Sequence, residues 1–153
     1  MTVRLETMPP ERIAPWIEAD HLAYIDSRMR AGESREVATA KAEQSRAEHF
    51  PDGHPLDTHR IFDVVAHDTV VGHLWLGPLA AGSDDWWVFD IEIDGAHRRN
   101  GYARRALELG EAEARALGAT SIGLNVFGYN TGAKELYDSL GYGVTATQMK
   151  KPL

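Results

Sequence analysis

No cysteine occurs among the 153 residues. That excludes a disulfide scaffold, a Cys-ligated zinc or iron–sulfur centre, and a cysteine nucleophile. A basic excess is missing as well: 16 Lys and Arg stand against 23 Asp and Glu, a formal charge of −7. Non-specific nucleic-acid binding and anchoring on anionic lipid both depend on a basic surface, so neither is expected. No apolar run approaches the ~18 residues that span a bilayer. The opening MTVRLETMPPERI has no basic stretch followed by an apolar run, so a secretory leader is not expected and the cytoplasm is the default location. Several catalytic signatures are absent too. There is no Gly-Lys pair for a Walker A loop, no HExxH and no GxSxG.

What is present is ordinary globular material, 43% hydrophobic and 25% charged, in a length that suits one domain over residues 1–153. Residues 2–7 alternate Val3, Leu5 and Thr7 against Arg4 and Glu6, a short strand. Pro9-Pro10 suits entry to a helix, and apolar spacing predicts one over residues 13–29 and a weaker one over 36–49. Residues 51–58 read as a loop. Residues 61–66 and 69–76 read as strands joined at His67-Asp68 in a hairpin, followed by a third strand over 86–93. Ala103, Ala106, Leu107, Gly110, Ala114 and Leu117 then mark a well-patterned helix stopped by Gly118. A strand over 121–127, a helix ending at Gly141 and a last strand over 143–149 complete the order. This is an α+β chain with a mixed sheet, one parallel crossover, and no linker that would divide it.

The junction IEIDGAHRRNGYARRALELG passes from strand to helix through Arg98-Arg99-Asn100-Gly101-Tyr102-Ala103. Such a junction exposes unpaired backbone N–H groups at the positive end of a helix dipole, a ready anion site. Gly101 permits a tight turn and close approach of a phosphate to backbone, and Arg98, Arg99, Arg104 and Arg105 surround it with positive charge. A plain strand–helix turn with solvated arginines explains this feature alone about as well. A dinucleotide fingerprint fits worse, because Gly101 is the one glycine among residues 98–103.

The spacing Arg98-x-x-Gly101-x-Ala103 resembles the [QR]-x-x-G-x-[GA] pyrophosphate motif of the GNAT N-acetyltransferase superfamily. Downstream, Asn130-Thr131-Gly132-Ala133-Lys134-Glu135-Leu136-Tyr137-Asp138-Ser139-Leu140-Gly141-Tyr142 is similar to that superfamily's second motif, N-x-x-A-x-x-L-Y-x-x-x-G-[FY]. The resemblance covers roughly residues 60–149 and implies a mixed sheet of about six to seven strands, splayed at a cofactor cleft and flanked by about four helices. It implies acetyl-CoA as the acyl donor, with no metal. Backbone amides of Arg99, Asn100, Gly101, Tyr102, Ala103 and Arg104, beside Arg98, would hold the pyrophosphate. Ile91 and Ile93 would pair with the pantetheine arm like an added strand. Asn130, with Lys134, is similar to the family's cofactor-arm contacts, and Tyr137 resembles the tyrosine beside the thioester sulfur. Gly95 departs from the proline many relatives carry there.

Acyl transfer to an amine needs a proton acceptor, and the strand over 86–93 offers one. Trp87, Phe89, Ile91 and Ile93 alternate against Asp90, Glu92 and Asp94, so three carboxylates fall on one face unless a bulge shifts the register. Asp90 and Glu92 are both candidate bases, and the choice between them stays open; a merely solvated face is the plain alternative. Tyr137 lies on its helix's apolar stripe and reads as core without the resemblance, as a proton donor with it. Asn125, mid-strand, either reaches the cleft or is a satisfied buried amide. Tyr24, Asp26 and Met29 are weaker candidates for the acceptor wall. His49, His54 and His59 recur every five residues in a proline-bearing segment, which does not align them for a metal. The reading is an N-acetyltransferase acting by direct attack in a ternary complex on a small-molecule, peptide or protein amine, with a homodimer left open. Its rival is a CoA-binding regulatory module without turnover.

Overall fold

The computed structural model describes residues 2–153. The elements run β1 (Val3–Thr7), α1 (Pro10–Arg30), α2 (Arg35–His49), β2 (Arg60–Ala66), β3 (Thr69–Pro78), β4 (Asp85–Ile93), α3 (Tyr102–Ala116), β5 (Ser121–Leu124) and α4 (Thr131–Ser139), with one 3-10 turn at Gly95–His97. α1 opens on Pro10, whose missing N–H falls where no intrahelical partner exists. The Ser34 hydroxyl caps α2 by accepting from the Val37 N–H at 3.2 Å. The β2–β3 hairpin turns at His67 and Asp68, both with positive φ (50° and 62°), as a right-twisting two-residue turn demands.

The sheet order is β1-β2-β3-β4-β5, antiparallel except for the last, parallel pair. α3 is the crossover between β4 and β5 and covers one face. There Ala106, Leu107 and Ala114 join Val64, Leu74, Leu76 and Val88 in the main core. Gly110 lets this helix approach closely, since a Cβ there would stand 2.8 Å from Leu74 Cδ2. The α1–α2 pair covers the other face through Trp16, Ile17, Phe50, Ile61 and Trp75, with Ile25, Ala38 and Ala42 buried in a separate cluster. Among the described residues, no helix is long and apolar enough to cross a membrane.

Two expectations are corrected. The sheet has five strands among the described residues, not six to seven, because residues 143–149 form no strand. β5 offers only four residues of edge, and Val144 and Met149 remain exposed at 65% and 89%, so apolar burial gives no drive to pair there. β5 also ends at Leu124 rather than at residue 127. The α+β class, the mixed sheet and the four flanking helices stand as expected.

Candidate active site

The site begins with a defect in a strand. Trp75 pairs with Asp90 and Leu76 with Val88, so Phe89 is an extra residue in β4, a β-bulge. Strict alternation therefore breaks. Trp86 and Val88 before the bulge, and Ile91 and Ile93 after it, all join the α3-side core. Phe89 instead stacks on Trp75 toward the α1–α2 side, ring centroids 4.8 Å apart. The bulge also falls where β4 and β5 part company. Their parallel pairing runs only from Asp85↔Ser121 to Val88↔Leu124. Beyond it the β5-side edge of Ile91 and Ile93 has no strand partner, while their other edge pairs with Leu74 and Gly72.

A cavity of about 380 Å³ occupies this opening. Asp90 and Ile91 line it from β4, Asp20 and Tyr24 from α1, His49 from α2, Asn125, Phe127 and Asn130 from the segment after β5, and Tyr137 from α4. A larger open groove of about 680 Å³ lies on the other flank of β5, between α3, α4 and residues 143–146; Tyr137, Asn125 and Lys134 border it as well. Arg28 supports the roof of the smaller cavity. It donates to the Tyr24 hydroxyl at 2.9 Å, pairs with Glu33, and lies 5.9 Å from the Phe127 ring centroid.

Asp90 is the hub of the cavity floor. Its Oδ2 lies 2.6 Å from His73 Nε2, and Asp20, His73 and Asp90 each bring a polar atom within 4.8 Å of the other two. A metal ion held by these three would have to displace the His73–Asp90 hydrogen bond. Burial opposes ionisation of Asp90, but the His73 hydrogen bond and charge outweigh it and hold the carboxyl below its ordinary range. His73 is buried too, yet the hydrogen bond and charge of Asp90 raise it above its ordinary value. Asp20 moves the other way: burial first, then the neighbouring Asp90 charge, push it up to about 9. Burial, followed by the charge of Asp90, likewise raises Tyr137, which keeps its phenol protonated.

The other carboxylates of β4 separate from this cluster. Glu92 is half exposed and 3.9 Å from Arg98, and Asp94 lies just beyond the strand at the cap of the 3-10 turn. On α1, Tyr24 reaches the cavity. Asp26 is exposed and Met29 packs on the cluster of Ile25, Ala38 and Ala42; neither lines the cavity. Asp20 does, and the one trace of it in the sequence is its place at i−4 from Tyr24, on the same helical face. His49 and His59 lie 5.7 Å apart, tilted by 35°, in an aromatic cluster where Trp75 Nε1 donates to His59 Nδ1 at 2.9 Å. Burial, then His49, lowers His59 to about 4, while His49 also borders the cavity.

The phosphate-type loop is built as its sequence suggests. Gly101 caps α3 in the left-handed region, φ 78°, with no side chain filling the helix end. The first-turn amides of Tyr102, Ala103 and Arg104 therefore point outward without intrahelical acceptors. Arg98 Nε donates to the Ile93 carbonyl at 2.9 Å, and Asn100 Nδ2 donates to the carbonyls of His97 and Arg98, so the loop is tied to β4. Arg99 also adopts a positive φ of 64°. Arg104 donates to Ser139 Oγ at 2.6 Å, joining α3 to α4. Asn130 Oδ1 accepts from the Ala133 N–H and caps α4, while Lys134 pairs with Asp138 at 2.8 Å. An uncapped helix end, a ring of arginines and a free strand edge suit a long phosphorylated ligand with an amide-bearing arm.

A sequence model of the acetyltransferase (GNAT) family matches residues 19–142. The chain is 26% identical to YycN of Bacillus subtilis, an uncharacterized N-acetyltransferase, over the full length of both proteins. It is 31% identical to YdgE of the same organism, also an uncharacterized N-acetyltransferase, over 76% of this chain and 75% of that one. The crystal structure of YycN superposes with a TM-score of 0.89 over 99% of each chain, at 25% identity.

Proposed function

The chain belongs to the acetyltransferase (GNAT) family, and from that premise we propose that it transfers the acetyl group of acetyl-CoA to a primary amine by direct attack in a ternary complex. The observation that carries the reading is the position of Asp90. It is an ionised, half-buried carboxylate in a cavity that also holds the Tyr137 phenol, where β4 and β5 diverge.

Acetyl-CoA, when bound, supplies the acyl group as an activated thioester. The α3 amides from Gly101 onward, with Arg98 and Arg99, are suited to its pyrophosphate. The strand edge at Ile91, beside an Ile93 carbonyl already held by Arg98, is suited to its amide-bearing arm, with Asn130, Lys134 and Asn125 lining the adjoining cavities. On the acceptor side, Asp90 attracts an ammonium and takes its proton as the amine leaves water, because desolvation makes the ammonium more acidic. The nitrogen then forms the new bond to the acyl carbon as the carbon–sulfur bond breaks. Tyr137, kept protonated by burial and by Asp90, is suited to give a proton to the departing thiolate, and the second proton that the nitrogen sheds on becoming an amide replaces it. With no cysteine in the chain, no thiol is available for an acyl-enzyme route. Of the two candidate bases, Asp90 faces the cavity and Glu92 faces Arg98 and solvent, which favours Asp90. Tyr24, Phe89 and Phe127 form an aromatic wall that suits an amine with an apolar body, free or at the end of a peptide.

The test is thiol release from acetyl-CoA over a panel of amines. Turnover on at least one primary amine is the expected result. Tight acetyl-CoA binding with no thiol release on any amine would instead support a CoA-binding regulatory module.

A further inference from the structure

Asp20 enters the cavity from α1, one turn ahead of Tyr24, and meets Asp90 from the side opposite the sheet. Two carboxyls this close and partly withdrawn from water do not both ionise; a single proton between them is the stable arrangement. His73 decides which carboxyl is the anion, because its Nε2 occupies Asp90 Oδ2 at 2.6 Å and, among the described residues, no corresponding cation faces Asp20. The titratable groups around the pair are Tyr24 from α1, His49 from α2, His73 from β3, Glu92 from β4 and Tyr137 from α4.

We infer that Asp20 is a positioning residue: it shares one proton with Asp90 as the donor, and so fixes Asp90 between Asp20 and His73 as the carboxylate presented to the acceptor amine. The inference rests on the reading of Asp90 as the proton acceptor. The raised Asp20 and the depressed Asp90 are what such sharing produces. The proton balance is simple. The shared proton stays on Asp20 throughout, and the proton leaving the ammonium goes to Asp90 and then to solvent.

Carboxyl ¹³C NMR titration of the intact protein tests the shared proton without any turnover. Asp20 should remain protonated through neutral pH and titrate near 9; titration in the ordinary Asp range, near about 3.9, would overturn the inference. Kinetics then test the positioning role. Asp20→Asn keeps a neutral donor and should hold kcat within about threefold of wild type at neutral pH, whereas Asp20→Ala should lose about tenfold or more. The wild-type change in kcat near pH 9 should vanish in Asp20→Asn, while the limb set by the amine itself persists in both. Equal losses in the two variants, or an unchanged limb in Asp20→Asn, would refute the role. If no amine turns over in the wild type, the acetyl-transfer reading fails and the titration still decides the proton.

Discussion

Replacing Asp90 by Asn keeps the size of the side chain and removes the charge proposed to attract and deprotonate an ammonium. kcat should fall by about 10²-fold or more, the usual yield of a positioned acid–base group. The acetyl-CoA dissociation constant, read by calorimetry, should stay near wild type because the α3 loop is untouched. Tyr137→Phe should lower kcat for amine acetylation more than it alters binding, and the loss should shrink with acyl donors whose leaving thiol is more acidic. Asp20 carries a stability consequence with a definite sign. Its folded pKa of about 9 lies above the ~3.9 of an unfolded chain, so between those values the folded state holds the extra proton. Stability contributed by this proton is complete below about pH 4 and declines as pH rises toward 9. Asp20→Asn should therefore melt at a higher temperature than wild type at pH 8, and the gap should narrow at pH 5. Thermal denaturation at the two pH values checks this.

At the scale of elements, the central feature is the pairing of a bulge with a strand end. The bulge at Phe89 sends Phe89 and Asp90 toward α1, while β5 stops pairing at Leu124, so one place in the sheet opens both a cleft and a carboxylate. Gly101 is the corresponding feature of the loop. A branched side chain at φ 78° is strained, so Gly101→Val should cost about 1–2 kcal/mol of stability and weaken acetyl-CoA binding. An unchanged dissociation constant would remove the α3 N-terminus from the cofactor site. Much of this was legible in the chain. α3 and the β2–β3 hairpin follow from one-sided apolar spacing and from two turn residues, because periodicity records burial directly. The loop from Arg98 to Ala103 was legible because a helix start, a glycine and clustered arginines are local signals. Asp20 was not legible, since a carboxylate on a helix face carries no mark of what the opposing sheet presents. The bulge was foreseen only as something that would upset the register at Asp90, because alternation alone does not locate an inserted residue. Residues 143–149 show the reverse failure: alternation without enough apolar side chain to bury gives no strand.

On the scale of the whole molecule, charge is divided rather than spread. Residues 84–94 hold five acids and no base, and residues 98–105 hold four arginines and no acid, within a chain of net charge −7. The acidic stretch spans β4 and its flanks and reaches the 380 Å³ cavity at Asp90, and the basic stretch is the loop and first turn of α3 that follow it. The arginines are substantially exposed, with Arg98 and Arg105 only 3.9 Å from single carboxylates. Salt screens such charges over a Debye length of about 8 Å at physiological strength. Acetyl-CoA binding should therefore weaken as salt is raised, and the slope should flatten in Arg99→Ala; a salt-independent dissociation constant would contradict a role for these arginines in holding it. The proposed reaction joins both stretches, carrying an acetyl group from a donor held at the arginine loop to an amine held by Asp90. Its most direct test is a single comparison of wild type with Asp90→Asn, following thiol release and acetylated amine together at saturating acetyl-CoA. Equal amounts of thiol and acetylated amine from the wild type, with loss of both by about 10²-fold in Asp90→Asn, are the predicted result. Undiminished product from Asp90→Asn would contradict it.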